Sequence, residues 1–171
     1  MEEKQGARIA VVYEWLDATV FALAAVLLLF SFVLKSYIVS GQSMDPTLKD
    51  GDRVFVWSLF YTPRSGDIIV VDDNNGYNEP LVKRVVAVGG QTVEIDPDTL
   101  EFLVDGVPLQ SPVAPGSYNL LGDTQYPLTV PEGYIFAVGD NRAYSLDSRY
   151  DAIGFIDARS VLGKEFICIA R

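Results

Sequence analysis

"PLVKRVVAVGGQTVEI" (residues 80–95) decides the fold. It is rich in β-branched residues and broken once, by the pair Gly89-Gly90. Valine and isoleucine fit a pleated, half-buried surface, and glycine reaches the positive φ that a tight turn needs. The stretch therefore predicts two antiparallel strands joined by a turn. Period-two alternation puts Lys83 on one face with Leu81, Val85 and Ala87, and Arg84 on the other. A lysine inside so apolar a strand either snorkels from an edge or is held there for its chemistry.

Outward from this pair the same pattern repeats. "YIVSG" is a short extended run, and "DRVFVW" and "DIIVVD" each follow a glycine. "EFLVDGVPL" carries Asp105-Gly106, a strong hairpin signal. Residues 110–127 are rich in Pro, Gly, Ser and Asn and read as loop. "PLTVPEGYIFAVGDN", "AIGFID" and "SVLGKEFICIA" return to strand. There is no internal repeat and no long periodic helix in this part. In "GDRVFVWSLFYTP" the aromatics Phe55, Trp57, Phe60 and Tyr61 either send half their number into the core or form a lip that dips into a membrane interface. "DDNNG" (residues 72–76) is acidic, but its spacing does not fit a calcium loop, and it reads as a solvated turn.

Upstream, residues 18–34, "ATVFALAAVLLLFSFVL", carry no charge. As a helix they reach about 26 Å, near the thickness of a bilayer core. Trp15 and Lys35 flank them as interfacial residues. The expected organisation is a short cytoplasmic N-terminus (1–15), a single transmembrane helix (16–35) and an extracytoplasmic, compact, largely antiparallel β domain (36–171). A cleaved secretory signal is the rival reading, although "MEEKQGAR" lacks a basic n-region and the apolar run is long for one. Charge does not settle orientation: Lys4 and Arg8 precede the run, and Lys35, Lys49 and Arg53 follow it.

The 171 residues hold 23 acids, 13 bases and no histidine, a net charge of −10. Residues 1–35 carry four acids and three bases, which leaves 19 acids and 10 bases downstream. Such an acidic domain does not suit nucleic acid, nor anionic lipid by bulk charge. Cys168 is the only cysteine, so no intrachain disulfide forms, and a structural zinc site is not expected. It reads as a small buried hydrophobe of a strand.

"SGQSMDPTLKDG" (residues 40–51) offers Ser43 in a Gly/Pro frame. A hydroxyl is a weak nucleophile until a base takes its proton. With no histidine, the candidates are Asp, Glu, Tyr or a deprotonated Lys. An ordinary lysine titrates near ~10.4, and burial among apolar groups lowers that by several units. Lys83 is the lysine so placed. Lys4, Lys35, Lys49 and Lys164 are not, and Arg84 stays protonated. "GDNRAYSLDSRYDAIG" (residues 139–154) gathers Asp140, Arg142, Asp147 and Arg149 with Ser145 and Ser148. It is either a polar loop with surface ion pairs or a shell that fixes a nucleophile and its base.

Together, "SGQSMDPTL", "VKRVVAVGG" and "GDNRAYSLDSR", in this order behind one apolar span, resemble the bacterial type I signal peptidases. These are membrane-bound serine proteases with a Ser–Lys dyad. The resemblance implies Ser43 as nucleophile and Lys83 as general base. It implies a hydroxyl, Ser145, that positions the lysine, and supports Asp140, Arg142, Asp147 and Arg149. The Ser43 N–H would serve the oxyanion. Tyr37, Ile38, Val39, Ser40 and Gly41 on one side, with Leu81 and Val82 on the other, would line a cleft for an extended substrate cut after small, Ala-X-Ala-like residues. It further implies secretory preproteins as partners, contact with lipid, a monomer in the plasma membrane, and no metal or other cofactor. Two positions depart from the pattern: Ala143 stands where many members carry Asp, and Gly41 where some carry a Ser that helps hold the oxyanion. Gly41 and the short stretch between Lys83 and Gly139 match the small, Gram-positive-like version. Relatives of the endoplasmic reticulum that rely on histidine do not match. A self-cleaving repressor-type protease shares the Ser-Met-x-Pro element but needs a DNA-binding domain in place of the span. A conjugation-type processing peptidase and a catalytically silent, membrane-anchored β binding domain are the alternatives.

Overall fold

The computed structural model describes residues 2–72, 79–99, 101–110 and 121–171. The "DDNNG" turn falls largely outside these residues, as does most of the loop read over 110–127. Two units are present, residues 1–35 and 36–171. The first is a helix, α1 (Glu2–Val33). Within it Val12–Ser31 is long and apolar enough to cross a membrane, and none of that window is buried. The helix is longer than the uncharged run at its N-terminal end. It stops two residues before Lys35, where the chain turns extended.

The second unit is a mostly antiparallel β domain. A seven-stranded sheet is ordered β1 (Leu34–Ile38), β2 (Arg53–Trp57), β11 (Val161–Ile169), β3 (Ile68–Val71), β4 (Leu81–Val88), β9 (Tyr134–Val138) and β10 (Ile156–Asp157). A four-stranded sheet is ordered β7 (Val107–Pro108), β6 (Phe102–Val104), β5 (Thr92–Ile95) and β8 (Leu128–Thr129). The Gly89-Gly90 turn joins β4 of the large sheet to β5 of the small one. Asp105 and Gly106, both at positive φ, close the two-residue β6–β7 hairpin.

β4 does not alternate throughout. Val85 pairs with Ala137 and Ala87 with Phe136, so Val86 is an extra residue and the strand bulges there. Val85 packs with Ile69, Val71 and Ala137, whereas Val86 and Ala87 both join Val93, Phe102 and Phe136. Ala87 therefore leaves the Lys83 face that strict period two assigns to it. The bulge lets one strand serve two cores.

Two further expectations are corrected. In β2 the valines Val54 and Val56 face the core, while Phe55 is half-buried and Trp57 exposed. Cys168 is exposed, not buried. It lies on the last part of β11, where Phe166, Ile167 and Ile169 are exposed as well, so no second layer of described residues in the β domain covers this end of the strand.

Candidate active site

Ser43 is placed by the residues on its C-terminal side. Met44 and Leu48 are buried with Val39, Val54 and Val70, which anchors the loop to the large sheet. The Leu48 N–H donates to the Met44 carbonyl and closes the turn. The nucleophile candidate is thus the last partly exposed residue before a fixed hydrophobic plug.

Lys83 comes from the middle of β4, paired with Ile69 of β3. It is 3% exposed, and its Nζ donates to Ser43 Oγ at 3.0 Å. Burial lowers its pKa to about 8. Asp147 and Asp140 pull the value back up, and Arg149 pushes it further down. Desolvation prevails because neither carboxylate is in contact with the amine. At neutral pH roughly a tenth of such a lysine is uncharged, against well under a thousandth for an exposed one.

The loop after β9 closes over both residues. A Cβ at Gly139 would collide with the Ser43 carbonyl oxygen and the Ser145 hydroxyl, so only glycine fits. The Asn141 N–H donates to that same carbonyl at 3.0 Å. Asp147, fully buried, accepts from the Gly139 N–H at 2.9 Å and from Arg149 Nε at 2.8 Å. Arg149 Nη2 also donates to the carbonyls of Arg142 and Ser145. Arg142 Nε donates to the Gly139 carbonyl, and its guanidinium lies 4.8 Å from the Phe102 ring centre, a cation–π contact with the small sheet. The Ser145 hydroxyl is buried but makes no hydrogen bond among the described residues, Lys83 included.

On the other face of β4, Arg84 grips Asp140 with two parallel hydrogen bonds of 2.7 Å. Asp140 Oδ2 also accepts from Thr47 Oγ1 at 2.6 Å. Asp140 therefore joins β4, the loop after β9 and the loop that carries Ser43. The sequence reading missed this role for Arg84 and Thr47. Arg84 and Asp140 are 56 residues apart, and no local pattern links them.

Tyr37, Ile38, Val39, Ser40 and Gly41 face Leu81 and Val82 across a groove of about 530 Å³ that holds Ser43 and Lys83. Pro80 continues the wall of Leu81 and Val82, while Gln42, Val70, Glu79, Tyr144 and Leu146 also line the groove and were not anticipated. Tyr144 is 70% exposed, and no pattern in the sequence separates it from a core aromatic. Cys168 is outside this groove, and desolvation, then Asp52, push its thiol pKa up, so it is no competing nucleophile.

Residues 12–170 match the model of the family described as signal peptidase, peptidase S26. The chain belongs to the signal peptidase family. A signal peptidase I of Bacillus licheniformis is 36% identical over 173 residues, covering 95% of this chain and 90% of that protein. Signal peptidase I P of Bacillus subtilis subsp. natto is 35% identical over 167 residues, covering 90% and 86%. A crystal structure of a signal peptidase I from Enterococcus faecalis is 33% identical with a TM-score of 0.49, covering 61% of this chain and 97% of that one. Family membership makes the chain a protease that processes signal peptides.

Proposed function

We propose that the chain is a membrane-anchored serine endopeptidase that removes signal peptides after small-residue, Ala-X-Ala-like sites. Ser43 is the nucleophile and Lys83 the general base. The observation that carries this reading is the 3.0 Å hydrogen bond from a buried lysine to the serine hydroxyl. A lysine with a pKa about 8 is deprotonated often enough to accept the Ser43 proton. Ser43 Oγ then attacks the peptide carbonyl, Lys83 protonates the leaving amine, and the same group later activates water for deacylation. Ser145 offers a buried hydroxyl with no hydrogen bond among the described residues, available to orient the amine as Ser43 turns to its substrate. The Ser43 N–H serves the oxyanion, and Gly41 adds no hydroxyl there. Asp140, Asp147, Arg142 and Arg149 act by holding the loop.

The substrate lies extended between residues 37–41 and 81–82, adding its own strand. The half-closed groove suits small side chains. Secretory preproteins are the substrates, and a monomer suffices for the site. Helix α1 anchors the enzyme, with the β domain on the extracytoplasmic side. This keeps the groove where the apolar part of a signal peptide emerges and raises its effective concentration. An apolar lip supports contact with lipid: Phe60 is 96% exposed, and Trp57, Leu59, Ile167 and Ile169 are exposed as well.

The test is cleavage of a synthetic Ala-X-Ala preprotein by the detergent-solubilised enzyme. Ser43→Ala and Lys83→Arg should each lose about 10²–10⁴-fold or more, because arginine keeps the charge but holds its proton. Substantial cleavage by either variant contradicts the dyad.

A further inference from the structure

The groove wall facing β4 is held in an unusual way near Ser43. β1 ends at Ile38, and Val39–Gly41 continues beside the loop at residues 49–52. Three hydrogen bonds fix it. The Val39 N–H donates to the Asp52 carbonyl at 2.8 Å, and the Gly51 N–H to the Val39 carbonyl at 2.9 Å. Both are main-chain bonds that many sequences can make. The third runs from the Gly41 N–H to the Asp50 carboxylate, Oδ1, at 2.7 Å. It alone depends on a side chain, and it is the nearest to Ser43 in sequence.

Gly41 needs that restraint. Its φ is +81°, a region open to glycine, and a Cβ built there would meet nothing within 4 Å. Packing does not fix this peptide. In a trans peptide the N–H and the preceding C=O point in opposite directions. Anchoring the Gly41 N–H on Asp50 therefore turns the Ser40 carbonyl to the other side of the plane. Ser40 and Gly41 both line the groove. The orientation of Gly41 also sets the path of the chain to the Ser43 N–H two residues on.

We propose that Asp50 is a positioning residue for peptide cleavage, acting through Gly41 on the groove wall and on the Ser43 N–H. The loop itself does not need the Asp50 side chain. Asp52 Oδ2 accepts from the Lys49 N–H at 2.8 Å, and the two main-chain bonds stay in place. Both Asp50 and Gly41 are exposed, so water replaces the lost partner at little cost to folding. Removing the carboxylate should loosen geometry without unfolding the loop.

The inference rests on Ser43 as nucleophile, and the experiment separates the two. Full-length enzyme in detergent is assayed on a synthetic Ala-X-Ala signal peptide, as wild type, Asp50→Ala, Asp50→Asn and Ser43→Ala. Asp50→Ala should lower kcat/KM about tenfold, the scale of one hydrogen bond, with Tm and the pH profile unchanged. Asp50→Asn should return to wild-type rates, since its amide oxygen still accepts from Gly41. Wild-type kinetics in Asp50→Ala overturn the proposal, and so does an Asp50→Asn as slow as Asp50→Ala. A loss that tracks a fall in Tm overturns it too, because the role is then structural. With Ser43→Ala inactive, those results refute Asp50 alone. A Ser43→Ala that still cleaves refutes the nucleophile and the Asp50 role with it.

Discussion

Lys83 and Arg84 are neighbours on one strand, and their surroundings could hardly differ more. Both are nearly buried. Arg84 meets Asp140 in a bidentate pair, with a third bond from Arg84 Nη1 to the Gly66 carbonyl at 2.8 Å. Lys83 meets a hydroxyl, with its carboxylates held off on Arg84 and Arg149. A buried cation with a carboxylate in contact stays charged, and one without it moves toward neutrality. The alternation of a β-strand thus puts a structural cation and the proposed base on adjacent residues. The ion pairs have a second effect, since each arginine occupies a carboxylate that would otherwise hold Lys83 protonated.

Three substitutions would break or sharpen this contrast. The largest effect should come from Asp140→Ala, which strands Arg84 in the interior and costs about 3–5 kcal/mol in denaturant unfolding. If Asp140 were only a surface partner, the loss would stay below about 1 kcal/mol. Next is Lys83→Met. Lys83 titrates at about 8 in the folded chain against an ordinary 10.5, so the folded state binds its proton less well than the unfolded one. That penalty is fully present below pH 8 and fades as pH rises from about 8 toward 10.5. The inactive Lys83→Met protein should therefore unfold about 3 kcal/mol harder than wild type at pH 6, with the gain shrinking toward pH 10. A pH-independent difference contradicts the lowered pKa. The smallest effect should be that of Thr47→Val, which removes one hydroxyl from Asp140 and costs about 1 kcal/mol.

The same contrast marks what the sequence made legible. The Gly89-Gly90 turn and the Asp105-Gly106 hairpin were readable because turn chemistry is local. Lys83 stood out because a charged residue among valines is costly without a reason. The bulge at Val86 was not readable, since valine and alanine suit either face of a strand and only the pairing with β9 reveals the extra residue. Arg84 with Asp140 was hidden for a related reason: a pair so far apart in sequence is defined by topology. The groove-lining residues came from resemblance, not from pattern. Cys168 was misread because an apolar strand end normally marks a core, and here the described residues of the β domain leave the end of β11 uncovered.

The most direct test of Lys83 as the proposed base is the pH dependence of kcat/KM on a synthetic Ala-X-Ala preprotein. The rate should climb about tenfold per pH unit below the lysine pKa and level off above about 8, as the neutral amine becomes the major form. A rate flat from pH 6 to about 10 would contradict it, because an ordinary lysine base keeps gaining activity to ~10.4 and a base that does not titrate there is not Lys83.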